Sequence, residues 1–117
     1  MNLLWVILGG GLGAALRWWI SSGMSSDGFP YGTLTVNLIG CLLIGCASVF
    51  LLEQPKLSLF IITGFLGGFT TFSSFGLDAM TLLHIGNYKT FFGYVFLSNV
   101  LGIMLVILGH KIVSSIA

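Results

Sequence analysis

The chain predicts an all-α membrane protein: one domain, residues 1–117, of four transmembrane helices with the third broken near the membrane centre. Three observations carry that expectation. Of 117 residues, 56% are hydrophobic and only 6% charged, with mean hydropathy +1.09, whereas a soluble domain carries roughly 25% charged residues. Four apolar spans of about 20 residues each, plus short connections, use up the length. Finally, Gly64-Phe65-Leu66-Gly67-Gly68-Phe69-Thr70-Thr71-Phe72-Ser73-Ser74-Phe75 sets two adjacent glycines and a Thr-Thr pair inside a long apolar run. A bilayer offers no water to unpaired backbone groups, so irregular backbone at that depth is buried in protein or lines a polar path or ion site.

The hydropathy pattern places the helices at about 2–20, 32–52, 57–83 and 90–115. The first has no basic leader and no small-residue cleavage site, so it reads as a membrane helix and not a signal peptide. On it Gly9, Gly10, Gly13, Ala14 and Arg17 share one side at about 100° per residue, a small-residue surface for close helix approach. The connection Ser21–Pro30, with Asp27, reads as a surface loop. The second helix gathers Thr33, Asn37, Gly40, Cys41, Gly45 and Ser48 on one stripe. Cys41 and Cys46 stand about 140° apart around its axis, so they cannot pair and read as small apolar residues.

Glu53-Gln54-Pro55-Lys56 reads as a tight polar turn before the third span, and the third connection runs through His84, Gly86, Asn87 and Lys89. On the fourth helix Tyr94, Ser98 and Gly102 recur every fourth residue, with Asn99 about 100° from Ser98. Trp5, Trp18, Trp19, Tyr31 and Tyr88 fall near span ends, where amphipathic rings sit at the headgroups. Arg17 is expected to snorkel, Asp78 to lie near the third helix's exit, and His84 and His110 to be interfacial. Orientation is unbiased: Lys56 and Lys111 lie on one side, Arg17 and Lys89 on the other. Such a protein can insert both ways up and pair as an antiparallel dimer, and a pore needs more than four helices to enclose it.

Candidate chemistry concentrates on two spans. The Asn37 amide must find partners in lipid, facing protein or a polar path, and Thr33 adds a hydroxyl one turn earlier. On the third span Thr70, Thr71, Ser73 and Ser74 interleave with Phe69, Phe72 and Phe75. Phenylalanine edges are electropositive and hydroxyls donate hydrogen bonds, so both can face an anion, while carbonyls freed at a helix break can face a cation. Each of these residues could instead be ordinary helix packing or an interhelical hydrogen bond. No His/Cys/Asp/Glu cluster has metal-ligand spacing, no nucleophile–base pair marks an enzyme, and a net charge of +1 gives nucleic acid no footing.

Three blocks carry a resemblance: Gly9-Gly10-x-x-Gly13-Ala14-x-x-Arg17, Gly32-Thr33-Leu34-x-Val36-Asn37-x-x-Gly40 and Gly64-Phe65-x-Gly67-Gly68-x-Thr70-Thr71-Phe72-Ser73-x-Phe75. In order, on successive helices, they resemble the Fluc (CrcB) fluoride channels of bacteria. The resemblance implies a dual-topology antiparallel homodimer in the bacterial cytoplasmic (inner) membrane, with two fluoride pores exporting the ion passively. It maps the pore asparagine to Asn37, beside Thr33, and the paired phenylalanines to Phe72 and Phe75. A polar track falls on Thr71 and Ser74 with Ser73, and the fourth-helix contributors are Tyr94 and Ser98. It also implies a structural sodium ion (Na+) at the dimer axis, held by backbone carbonyls of Gly67 and Thr70. The chain departs from the family's usual pattern at Gly76 and Asp78. A rival of another class, a small multidrug-type proton-coupled exporter, requires a membrane-embedded carboxylate that the first helix lacks.

Overall fold

In the computed structural model, which describes residues 2–24 and 28–116, the apolar segments form four long helical spans. Helix α1 is Asn2–Ser22 and α2 is Tyr31–Leu51. The third span, Pro55–His84, is two helices, α3 (residues 55–69) and α4 (Phe72–His84). The fourth, α5, is Tyr88–Ile116. No strand occurs among the described residues. The longest dimension, 46 Å, is close to the ~40–45 Å of a bilayer with its headgroups. Span ends agree with the hydropathy pattern to within a few residues, and Asp27 lies outside the described residues.

The connections show why the spans end where they do. Pro55, expected in the turn, opens α3 behind an extended Gln54 (φ −119°, ψ 91°). Proline suits the first helical position because its missing N–H would have no partner there anyway. After α4 the chain turns at Gly86, whose φ of +78° favours a residue without Cβ. Asn87 then caps α5, its side chain accepting the Thr90 N–H at 3.4 Å.

Glycines set the packing. Helix α1 lies along α3, and α2 along the C-terminal half of α5. A Cβ on Gly13 would strike the Phe65 carbonyl and the Phe69 N–H, and one on Gly9 the Phe60 carbonyl. The small face of α1 is therefore spent within the chain, on α3. Gly45 meets Val106 and Gly109 meets Leu42 in the same way across the α2–α5 contact. One polar tie reinforces that contact: Ser48 Oγ donates to the Gly45 carbonyl at 2.7 Å and lies 3.1 Å from His110 Nδ1. Cys41 and Cys46 are both free. Trp18, Trp19, Tyr31 and Tyr88 are exposed near span ends, while Trp5 is half-buried, edge-on to Phe60 with ring centroids 6.1 Å apart.

The third span breaks at Thr70 (φ −85°, ψ 156°) and Thr71 (φ −150°, ψ 120°), both extended. The glycine pair does not break it. Gly67 is helical (φ −63°, ψ −37°) and Gly68 continues α3. A Cβ on Gly68 would strike the Gly10 carbonyl, so that glycine permits close packing on α1. Two stretches of π-helix also appear, Leu59–Leu66 in α3 and Leu97–Leu101 in α5. There the hydrogen bonds reach five residues instead of four, which widens the turn.

Candidate functional site: the cleft at the helix break

Asn37 holds the break open. Its Nδ2 donates to the Thr71 carbonyl at 3.0 Å, and its Oδ1 accepts the Thr71 N–H at 2.8 Å. The amide thus satisfies both backbone groups of a residue that has left the helix, where each buried orphan would cost about 1–3 kcal/mol. One turn later on α2, a Cβ on Gly40 would strike Thr70 Cγ2, so α2 presses directly on the break.

Where the lost helical bonds go determines what the break presents. In an unbroken helix the Gly67 carbonyl would accept from the Thr71 N–H, which is given to Asn37 instead. The Thr70 carbonyl would accept from the Ser74 N–H, which caps Thr71 Oγ1 at 3.1 Å. Both carbonyls are thereby released. A third, on Gly68, is taken by Arg17 Nε at 3.2 Å. Arg17 reaches into the fold and bonds the break. The C-terminal end of α3 consequently shows oxygen, the partial negative end of a helix dipole, while α4, 13 residues long, shows its positive N-terminal end.

A cleft of about 360 Å³ opens beside the break, lined among others by Asn37, Thr71, Phe72, Phe75, Ser98 and Asn99, and by Gly67 and Thr70. The Phe72 and Phe75 rings are 5.5 Å apart and inclined at 45°. Among the described residues, none that lines it is charged. Donors remain unspent. Asn37 has one Nδ2 hydrogen left after Thr71. Ser98 Oγ is buried with no partner among the described residues. Asn99 donates one amide hydrogen to the Val95 carbonyl at 2.8 Å and keeps the other. A small anion stripped of water could be met there by neutral donors and aromatic edges.

The structure gathers Asn37, Thr71, Phe72, Phe75 and Ser98 into this cleft, with Gly67 and Thr70. Four other candidates lie outside its lining. Thr33 is half-buried one turn before Asn37. Ser73 is exposed, its Oγ 3.2 Å from Thr71 Oγ1, and Ser74 serves the cap through its N–H. Tyr94 is fully buried. Its ring backs Phe75 at 5.0 Å and its hydroxyl donates to Asp78 Oδ2 at 3.3 Å. Asp78, expected near the exit of the third span, is half-buried beside that tyrosine.

Sequence reasoning left Asn99 off the site because ideal helical spacing turns it away from Ser98. Both lie in the π-helical turn, and both line the cleft. Nothing in Leu-Ser-Asn-Val-Leu, without Gly or Pro, signals such a turn. Among the described residues no group of His, Cys, Asp and Glu could hold a metal.

Residues 4–110 match the family described as CrcB-like protein, Camphor Resistance (CrcB). A protein of Hydrogenobaculum sp. (strain Y04AAS1) named fluoride-specific ion channel FluC is 43% identical, the match covering 94% of this chain and 95% of the relative. A protein of the same name from Paracoccus denitrificans (strain Pd 1222) is 47% identical, over 92% of this chain and 90% of its own length. A third, from Helicobacter acinonychis (strain Sheeba), is 43% identical over 93% and 94%. With four helices able to cross a bilayer and likeness along nearly the whole chain, this multi-pass membrane protein belongs to the CrcB family.

Proposed function

We propose that the chain is a fluoride-selective passive channel that carries the anion out of the cytoplasm across the bacterial inner membrane. The observation that carries this reading is the uncharged cleft at the break, where Asn37, Ser98 and Asn99 keep unspent donors beside the Phe72–Phe75 pair. The fluoride-channel name of its relatives points the same way. Neutral donors suit conduction, because an ion held by a fixed charge would leave slowly. The negative-inside potential moves the anion outward, at about 2.3 kcal/mol per charge per 100 mV, so neither ATP nor a coupling ion is needed.

The working unit in this reading is an antiparallel homodimer with two pores, one for each cleft. Two features support it: cationic residues that set no orientation, and Phe72, 81% exposed at the edge of the cleft and in want of a neighbour. The donor set at the break also fits a sodium ion at the dimer axis. The Gly67 and Thr70 carbonyls have lost their helical donors, and hard cations prefer oxygen. Sodium there would bridge the two copies without being transported.

Fluoride efflux from proteoliposomes tests the reading. Vesicles loaded with potassium fluoride are opened with valinomycin and followed by a fluoride electrode, with chloride as control. Rapid fluoride efflux without chloride efflux, abolished by Phe72→Ile together with Phe75→Ile, is the expected result. Silence from a verified, reconstituted dimer overturns it.

A further inference from the structure

The π-helical turn of α5 has no assigned task. Two adjacent polar residues of that turn, Ser98 and Asn99, line one cleft, and the turn's longer hydrogen bonds free the Val95 carbonyl for the Asn99 side chain. We propose that this turn makes Asn99 a second amide on the ion path, donating to the passing anion through the Nδ2 hydrogen that Val95 does not use. The inference rests on the channel reading above and adds to it a residue that determines how the ion is passed along.

The geometry supports a division of labour within the side chain. One Nδ2 hydrogen goes to the Val95 carbonyl at 2.8 Å, the acceptor that an α-helical turn would bond to Asn99's own N–H. That bond fixes the amide against its helix. The second hydrogen points away from the first by the geometry of a planar amide, so fixing one leaves the other available at the cleft. Asn37 is used alike: its carbonyl oxygen and one hydrogen are committed to Thr71, and one hydrogen remains. Two amides pinned to backbone, from α2 and α5, thus line the same cleft as the Ser98 hydroxyl, which has no partner among the described residues. An anion leaving one donor finds another before it must regain water, as serial weak sites require.

Asn99→Ser separates the two uses. A serine hydroxyl bonds readily to the carbonyl four residues back, which keeps the Val95 tie and leaves no hydrogen for the ion. Asn99→Leu removes both. Fluoride efflux from proteoliposomes of each verified dimer is compared with wild type, alongside dimer retention on size exclusion. The expected result is a loss of about fivefold to tenfold in both variants, the value of one hydrogen bond, with the dimer intact. Wild-type efflux from Asn99→Ser overturns the proposal, since the hydroxyl restores only the structural bond. Loss of the dimer in Asn99→Ser overturns it too and assigns the amide to subunit contact. If wild type itself carries no fluoride while remaining dimeric, the channel reading falls, an outcome distinct from either.

Discussion

Two spans depart from the α-helix beside the same cleft, in different ways. The third loses its ladder at Thr70 and Thr71 and releases main-chain oxygen. The fourth keeps its ladder, widens at Leu97–Leu101, and delivers side chains. Their surroundings differ as much. A Cβ on Gly13, Gly40 or Gly68, around the break, would strike a neighbouring element, whereas one on Gly93, just ahead of the π-turn, would meet nothing within 4 Å. The break is clamped by the backbone and side chains of α1 and α2, while the turn in α5 is held more loosely: a Cβ on Gly102, just past it, would meet only the Cys41 Sγ, at 3.3 Å. Backbone irregularity in lipid needs partners for its released groups: the break draws them from α1 and α2 through Arg17 and Asn37, whereas the turn in α5 supplies its own, Asn99 Nδ2 on the Val95 carbonyl.

Substitutions can break or sharpen that contrast. The largest effect is expected from Gly13→Ala, whose Cβ would land on the backbone of Phe65 and Phe69. Overpacking typically costs about 1–3 kcal/mol, and more where the atoms struck are backbone that cannot give way, so thermal unfolding in detergent should drop sharply, with loss of monodisperse protein. Next comes Asn37→Ala, which strands the N–H and carbonyl of Thr71. A loss of about 2–5 kcal/mol should appear in chemical denaturation, together with faster amide exchange at Thr71. Thr71→Val removes the cap on the Ser74 N–H and should cost about 1 kcal/mol, recovered by Thr71→Ser. The smallest effect, and the only one of opposite sign, is Gly93→Ala in α5. Replacing an uncrowded helical glycine should stabilise by about 0.5–1 kcal/mol, read as a small rise in melting temperature. If Gly93→Ala proves as damaging as Gly13→Ala, the two regions are held alike and the contrast fails.

The four spans, the break and most of the cleft were legible in the sequence because each leaves a compositional mark. Apolar length marks a span, and a polar pair in mid-span marks irregular backbone. Which of the two marked pairs breaks was not legible. Of Gly67-Gly68 and Thr70-Thr71, the extended conformation falls on the threonines, where the Asn37 amide takes both the N–H and the carbonyl of Thr71. Arg17 next to Trp18 and Trp19 looks like an interfacial anchor, but its partner is the carbonyl of Gly68, which local pattern cannot identify. Tyr94 shares a helical stripe with Ser98, yet Tyr94 is sealed behind Phe75 while Ser98, inside the π-turn, lines the cleft. Tertiary partners and ladder slips are decided by contacts far apart in the chain, so spacing along one helix does not show them.

The Ser48–His110 tie has a consequence for proton bookkeeping at the far end of α2. A hydroxyl has one hydrogen, and Ser48 gives it to the Gly45 carbonyl at 2.7 Å. At 3.1 Å from His110 Nδ1 the oxygen can then only accept, which assigns the ring's hydrogen to Nδ1 and selects one tautomer. The tie therefore has a fixed polarity, donated from α5 and accepted on α2, and a residue in place of His110 keeps it only if it carries a donor at that spot.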